Sequence, residues 1–102
     1  MADDRILAII PAYQAAHLVA DVIRGATPHL PVLVVDDGSK DDTSGAARAA
    51  GAEVLRQEPN QGKGAALKRG FRRALDANYD AVLTLDSDGQ HDPAEIPPRR
   101  AK

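Results

Sequence analysis

The sequence contains no cysteine, few aromatic residues and no long hydrophobic run. Without cysteine, disulfides and zinc–thiolate sites are excluded, and a reducing compartment is compatible with the sequence. Because the aromatic residues are Tyr13, Phe71 and Tyr79, the core must be built from Ala, Val, Leu and Ile, as in parallel sheets covered by helices. No apolar run approaches the roughly 18 residues of a membrane span, and residues 1–5 lack the basic start of a signal peptide, so a cytoplasmic location is expected.

The sequence also lacks an excess of charge of either sign. Its 102 residues carry 13 basic and 15 acidic side chains, and the net charge of −2 gives no support for binding nucleic acid. A hydrophobic content of 43% with 27% charged residues is ordinary for a globular chain. This length allows one domain with a modest core.

What the sequence does contain is an alternation of apolar runs and helical patterns. The apolar runs predict strands at 6–11, 31–36 and 81–85, the first two with the pattern of strands buried on both faces, and a weaker strand at 52–56. Helical spacing, cap residues and glycine or proline stops predict helices near 15–24, 41–50 and 64–78. The last helix has an apolar stripe made of Leu67, Phe71, Ala74 and Leu75. Such alternation predicts an α/β fold with helices flanking a parallel sheet of order 3-2-1-4.

The densest polar cluster follows the fourth predicted strand. Asp86, Asp88 and Gln90 alternate along the chain, so in an extended segment their side chains leave the backbone on the same side. Oxygen ligands in this arrangement suit a divalent cation that keeps positions open for phosphate oxygens. An acidic surface turn is the competing interpretation. His91, beside the acids, is interpreted as a solvated turn residue rather than a ligand.

Further polar clusters follow other strands, and the carboxyl ends of parallel strands meet at one edge of a sheet. Asp36 or Asp37 could accept hydrogen bonds from a nucleotide base or ribose, although a plain turn explains the pair equally well. Tyr13 could stack on a base or cover the core. Residues 60–64 open a helix, so free N–H groups there favour a phosphate, with Lys63 adding charge, unless the segment is simply a flexible loop.

Taken together, these motifs identify a family. They are Ile-Pro-Ala-Tyr at 10–13, Val-Asp-Asp-Gly-Ser at 35–39, Asn-Gln-Gly-Lys-Gly-Ala at 60–65 and Leu-Asp-Ser-Asp-Gly-Gln-His-Asp-Pro at 85–93. In this order they resemble family 2 glycosyltransferases, which have the Rossmann-like GT-A fold. The subgroup that looks most similar comprises polyprenyl-phosphate (dolichyl-phosphate-type) mannosyl- and glucosyltransferases.

The resemblance implies a metal-dependent glycosyltransferase whose donor is a GDP- or UDP-linked sugar, bound through Mg²⁺ or Mn²⁺. It assigns the metal and diphosphate to Asp86, Asp88 and Gln90. It places the donor against Pro11, Ala12, Tyr13, Asp36, Asp37, Lys63 and Ser87. The metal would neutralise the departing diphosphate while an acceptor such as a polyprenyl phosphate attacks the anomeric carbon. One departure is Gln14, which stands where the family usually carries asparagine.

Domains of this family are longer than the chain. Residues 1–102 are therefore expected to form a truncated GT-A nucleotide-sugar-binding domain without its acceptor half and catalytic base. The fourth strand would be an exposed edge that a second copy could cover, and a lipid-phosphate acceptor would bring the protein to a membrane surface. The alternative function is a half-domain that binds nucleotide sugar and metal without transferring sugar.

Three other nucleotide- or phosphate-handling classes are disfavoured. Phosphatases of the haloacid-dehalogenase type need a lysine and further acids well after Asp86–Asp88, and residues 1–102 do not include them. Phospho-receiver domains need a lysine at the end of a downstream strand, and none of the predicted strands ends in one. Rossmann dehydrogenases need Gly-x-Gly-x-x-Gly after the first strand, and that motif is missing.

Overall fold

The computed structural model describes residues 5–87. Strands and helices alternate along them, in the predicted order. The strands are β1 (Ile6–Ala12), β2 (Val32–Asp36), β3 (Glu53–Arg56) and β4 (Ala81–Thr84), and the helices are α1 (Val19–Ala26), α2 (Thr43–Ala49) and α3 (Lys63–Asp76). Every strand boundary lies within one residue of its prediction. Helix α1 starts later than predicted, because the residues before it form a turn in which the N–H groups of Leu18 and Val19 donate to the carbonyl oxygen of Ala15.

The strands form one parallel sheet in the order β3-β2-β1-β4, which confirms the predicted order. The central strand β1 pairs with β2, where Ala12 is the partner of Asp36, and with β4, where Ile9 is the partner of Thr84. The chain places β2 and β3 on one side of β1 and β4 on the other. The carboxyl ends of β1 and β4 therefore form a topological switch point, the place where open α/β sheets bind their ligands.

The alternation of side chains along the strands divides the core into two layers. One face of the sheet packs against α1 and α2, and the buried residues there include Ala8, Ile10, Val34, Val19, Ile23 and Ala47. The opposite face packs against α3, and its buried residues are Leu7, Ile9, Leu33, Val35, Ala66 and Ala74. Both central strands are buried along their whole length, as their continuous apolar runs predicted.

Helix α3 meets the sheet through small residues, and this corrects the predicted apolar stripe at Phe71 and Leu75, while Ala74 is buried and Leu67 packs against the core as predicted. Its buried residues are Ala66, Gly70 and Ala74. Phe71 and Leu75, which the helical spacing assigned to the core, are 39% and 71% exposed. A Cβ atom at Gly70 would lie 2.6 Å from Cγ2 of Ile9, so the helix approaches β1 more closely than a larger side chain allows. The buried face of α3 therefore runs along Ala66, Gly70 and Ala74, and Phe71 and Leu75 lie outside it.

Two further observations concern the outer surface. Strand β4 pairs with β1, and within residues 5–87 no strand pairs with its other edge. Self-association through this edge stays a prediction. No helix in the same range is long and apolar enough to cross a membrane.

Candidate functional site

A pocket of about 330 Å³ lies at the switch point, beyond the carboxyl ends of β1, β2 and β4. This volume is at the lower end of the range found for small-molecule sites. Its lining residues are Pro11, Ala12, Tyr13, Asp37, Lys63, Ala66, Asp86 and Ser87. The structure thus brings together most of the residues predicted from sequence. Ala66 was missed, although its position on the buried face of α3, one turn after Lys63, could have indicated it.

These residues lie close together because the strands end, and helix α3 begins, at the carboxyl edge of the sheet. Ala12 is the last residue of β1, and Asp37 directly follows β2. Asp86 lies just beyond β4, and Lys63 is the first residue of α3. Residues that lie far apart in the chain therefore surround one cavity, as the parallel topology predicts.

Asp36 and Asp37 point to opposite faces of the sheet, as successive residues of an extended chain do. The Asp36 carboxylate is fully buried. It accepts hydrogen bonds from the backbone N–H of Ser39 at 3.0 Å, from Ser44 Oγ at 2.6 Å and from Arg56 Nη1 at 2.9 Å. The structure therefore pairs the buried Asp36 with the partly exposed Arg56 of β3, away from the pocket lining that Asp37 joins.

The Asp37 carboxylate holds the loop that precedes α3. Its Oδ1 accepts hydrogen bonds from Gln57 Nε2 and from the backbone N–H of Gln61, both at 2.7 Å, and its Oδ2 accepts one from the N–H of Gly62 at 2.8 Å. Burial raises the pKa of Asp37, but these hydrogen bonds together outweigh it, so the pKa lies below its ordinary value. Asp37 is therefore an ionised clamp between β2 and the start of α3.

This clamp corrects part of the expectation of free N–H groups at residues 60–64; for the first-turn residues Lys63 and Gly64 it stays a prediction. The N–H groups of Gln61 and Gly62 already donate to Asp37, so they are not available to a phosphate in this state. The positive charge that this segment presents to the pocket is the Lys63 side chain.

Close packing beneath the loop explains two neighbouring residues. Gly38 has a φ of +75°, and a Cβ there would lie 2.8 Å from the backbone N of Asn60, so glycine is required. The buried side chain of Gln57 has its orientation fixed, because its amide nitrogen donates to Asp37. Among the described residues, Gln57 Oε1 is a buried oxygen without a hydrogen-bond partner.

Lys63 and Asp86 face each other across the pocket. The Lys63 Nζ lies 3.1 Å from Asp86 Oδ1. Their side chains are 66% and 30% exposed, so solvent screens the pair and its contribution to stability is small. The ammonium beside this carboxylate nevertheless shows that Asp86 is positioned to receive a cation from the pocket side.

Asp86 is the described member of the predicted metal-ligand set. Asp88 and Gln90, together with His91, lie outside the described residues. Within residues 5–87, no three His, Cys, Asp or Glu side chains are grouped so as to hold a metal ion. The Asp86 carboxylate and the neighbouring Ser87 hydroxyl are hard oxygen donors, the type that suits Mg²⁺ and Mn²⁺. The donor chemistry therefore fits a divalent cation.

The loop after β1 is braced against the turn after β2. Tyr13 is 49% exposed and lines the pocket instead of covering the core. The next residue, Gln14, has a φ of +54° and donates its backbone N–H to Ser39 Oγ at 2.8 Å. The Gln14 side-chain oxygen accepts the backbone N–H groups of Lys40 and Asp41. The sequence showed Gln14 as a departure from the family, and the structure gives it this bracing role.

Comparison with known proteins identifies the family. The sequence model described as Glycosyl transferase family 2 matches residues 7–100. The chain belongs to glycosyl transferase family 2. The resemblance carried by the four motifs is thereby confirmed.

Relatives of this family 2 chain include enzymes named for lipid-linked mannose. It is 39% identical over 101 residues to an undecaprenyl-phosphate mannosyltransferase of Micrococcus luteus, an alignment that covers 91% of the chain and 42% of the relative. It is 34% identical to a polyprenol monophosphomannose synthase of Mycolicibacterium smegmatis, covering 90% and 38%. The chain therefore spans about two fifths of the length of these curated relatives.

Solved structures confirm the GT-A fold. The chain superposes with a TM-score of 0.70 and 31% identity on glucosyl-3-phosphoglycerate synthase from Mycobacterium tuberculosis, crystallised with Mn²⁺, UDP and glucosyl-3-phosphoglycerate. That match covers 82% of the chain and 33% of the synthase. The same synthase has also been crystallised with Mg²⁺ and UDP, and that structure matches with a TM-score of 0.68.

Proposed function

We propose that this chain binds a nucleoside diphosphate sugar through Mg²⁺ or Mn²⁺ and forms the donor-binding part of a glycosyltransferase. The observation that carries the proposal is the opposition of Lys63 and Asp86 in one pocket at the switch point, with Asp37 on the same lining. A phosphate-binding cation beside a metal-binding carboxylate is the combination that a diphosphate with a bound divalent ion requires.

The residues that would hold the divalent cation are Asp86, with Asp88 and Gln90 as predicted further ligands. When bound, the cation supplies Lewis-acid stabilisation to the departing diphosphate. Lys63 offers a second positive charge to the phosphate oxygens. Support comes from the synthase of Mycobacterium tuberculosis, which binds UDP together with Mn²⁺ and shares 31% identity with this chain.

The nucleoside end of the donor would lie near Asp37 and Tyr13. Within the described residues, Asp37 Oδ1 accepts two hydrogen bonds and Oδ2 accepts one, so Oδ2 has one lone pair left. That lone pair could accept an N–H of uracil or guanine, or a ribose hydroxyl. The half-exposed ring of Tyr13 provides a flat surface for stacking on the base. Pro11, Ala12 and Ser87 complete this lining by contact.

The acceptor is proposed to be a polyprenyl phosphate, by similarity to the two relatives named for lipid-linked mannose. An acceptor phosphate oxygen would form the new bond to the anomeric carbon. The bond from that carbon to the donor diphosphate would break, and the nucleoside diphosphate would leave. Association with a membrane surface follows from such a lipid acceptor.

Calorimetric titration with UDP and GDP tests donor binding. We expect binding in the presence of Mn²⁺, and an affinity lower by about tenfold or more when Mn²⁺ is replaced by EDTA. Asp86→Asn and Asp88→Ala should lose affinity to a similar degree, because each removes a predicted metal ligand. Asp21→Asn, on the exposed face of α1, is the matched control and should bind like the wild type. The nucleotide that binds more tightly identifies the base. Equal binding by Asp86→Asn and the wild type would remove the metal-site assignment.

A second candidate function, for these 102 residues on their own, is donor binding without transfer, because the described pocket offers groups for the diphosphate and the nucleoside. The purified 102-residue chain, incubated with sugar nucleotide, Mn²⁺ and polyprenyl phosphate, separates the two functions. Release of nucleoside diphosphate that depends on the lipid would establish transfer. Binding without such release would support the second candidate.

A further inference from the structure

Lys63 occupies a position that is unfavourable for a cation. It is the first residue of α3, where the helix dipole places partial positive charge, and the first turn of the helix contains no acidic residue. The nearby Asp37 carboxylate is already engaged by backbone N–H groups of the loop. The contact recorded for the Lys63 ammonium is with Asp86, 3.1 Å away. A lysine at this position therefore gains favourable interaction across the pocket and none from the helix dipole.

The same carboxylate has to serve two cations. Asp86 Oδ1 accepts the Lys63 ammonium, and Asp86 is also the described candidate ligand for the divalent ion. A divalent ion coordinated to Asp86 would repel an ammonium held at this distance, so both cannot keep their full interaction with it. The Lys63 side chain is 66% exposed and its ammonium sits on a flexible four-carbon stem, so the side chain can move without disturbing the core.

We propose that Lys63 is a placeholder cation, meaning that its ammonium occupies the cation position beside Asp86 before the metal binds and offsets the charge of that carboxylate. When metal and nucleotide are both present, the ammonium moves from Asp86 to the phosphate oxygens of the donor. This inference rests on the proposed function and adds a source of coupling to it. Metal alone must displace Lys63 and therefore binds weakly. Diphosphate draws the ammonium away from Asp86 and so strengthens metal binding. By thermodynamic linkage, metal strengthens nucleotide binding by the same factor.

The affinity for Mn²⁺ alone tests the proposal without any turnover. Free Mn²⁺ is measured by its electron paramagnetic resonance signal during titration of the protein at low ionic strength, first without nucleotide and then with saturating UDP or GDP. Without nucleotide, Lys63→Met should bind Mn²⁺ about three- to tenfold more tightly than the wild type, because the competing charge is gone. The factor by which nucleotide improves Mn²⁺ affinity should be smaller in Lys63→Met than in the wild type.

Two control variants separate charge competition from a structural effect. Lys63→Arg keeps the positive charge and should resemble the wild type. Lys68→Met removes an exposed lysine from the same helix, away from the pocket lining, and should also resemble the wild type. Raising the salt concentration should narrow the difference between Lys63→Met and the wild type, because screening weakens the competition.

The outcomes distinguish this inference from the proposed function. If Lys63→Met binds Mn²⁺ no more tightly than the wild type while Asp86→Asn loses binding, the metal site stands and the placeholder role is wrong. If Asp86→Asn binds Mn²⁺ like the wild type, the metal-site assignment itself fails, and the placeholder role fails with it. Tighter Mn²⁺ binding by Lys63→Met, lost on adding Asp86→Asn, supports both.

Discussion

At the scale of single residues, the most informative contrast is between Asp36 and Asp37. They are neighbours in the chain, but one carboxylate stabilises the packing of α2 and β3 through Ser44 and Arg56, whereas the other stabilises the loop before α3. The two neighbouring carboxylates therefore have separate structural roles. A substitution at Asp36 acts on the interior, while one at Asp37 acts on the pocket.

Asp37→Asn should lower the free energy of unfolding by about 1–3 kcal/mol at pH 7, because an amide cannot accept from all three N–H donors of the clamp. Since the pKa of Asp37 is lowered by folding, its contribution is present above the unfolded pKa of about 4 and is lost as pH falls through the lower folded pKa. The difference between wild type and variant should therefore shrink below about pH 4. Urea unfolding followed by circular dichroism, at pH 7 and at a pH below about 4, measures the difference in the free energy of unfolding.

The control for that comparison is Asp21→Asn, which alters an exposed side chain paired with Arg24 on the surface of α1. It should change stability little at either pH, because exposed pairs contribute little. Equal stability of Asp37→Asn and the wild type at pH 7 would show that the clamp does not stabilise the fold.

At the scale of secondary structure, α3 shows how close packing overrides helical periodicity. The predicted stripe was right for Ala74 and Leu67 but also took in Phe71 and Leu75, whereas the buried residues of the helix are the small ones at 66, 70 and 74. A prediction from helical periodicity selects residues by their hydrophobicity. The distance between a helix and a sheet depends instead on the volume of the side chains between them. The small residues bring the start of α3, and with it Lys63, down to the carboxyl edge of the sheet.

Gly70→Ala and Gly64→Ala form a matched pair on this helix. Alanine is favoured over glycine in a helix by about 1 kcal/mol, so Gly64→Ala, with no heavy atom within 4 Å of its new Cβ, should be as stable as the wild type or more stable. Gly70→Ala should be less stable by about 1–2 kcal/mol, because its Cβ would meet the fully buried Ile9 and overpacking outweighs the helix propensity. The midpoints of urea unfolding of the two variants and the wild type measure these differences in stability. A Gly70→Ala protein as stable as Gly64→Ala would contradict the close approach.

At the scale of the whole molecule, the sequence was sufficient for the sheet and for most of the pocket. The apolar runs predicted the strand bounds, and the order 3-2-1-4 was predicted because it is the usual one for this alternation of strands and helices. Pocket residues follow strand ends, so Ala12, Asp37 and Asp86 were found by position.

The rest depends on contacts between distant segments, which a linear pattern does not contain. Asp37 accepts hydrogen bonds from N–H groups that lie 24 and 25 residues further along the chain, so two N–H groups of the loop before α3 that seemed free are already engaged. Arg56, the ion-pair partner of the buried Asp36, lies 20 residues away and is adjacent because β2 and β3 pair in that register. The assignment of Asp88 and Gln90 falls outside the described residues and stays a prediction.

The central claim is that metal and nucleotide bind together at the carboxyl edge beside β1 and β4. Amide resonances of the isotope-labelled protein, recorded with a small fraction of Mn²⁺ and saturating nucleotide, test it directly, because paramagnetic Mn²⁺ broadens the signals of nearby nuclei. We predict the strongest broadening at Asp86 and Ser87, weaker broadening at Ala12, Asp37 and Lys63, and the least at the end of α2 that lies away from the pocket. Broadening centred on α2, or spread evenly over the acidic surface residues, would contradict it.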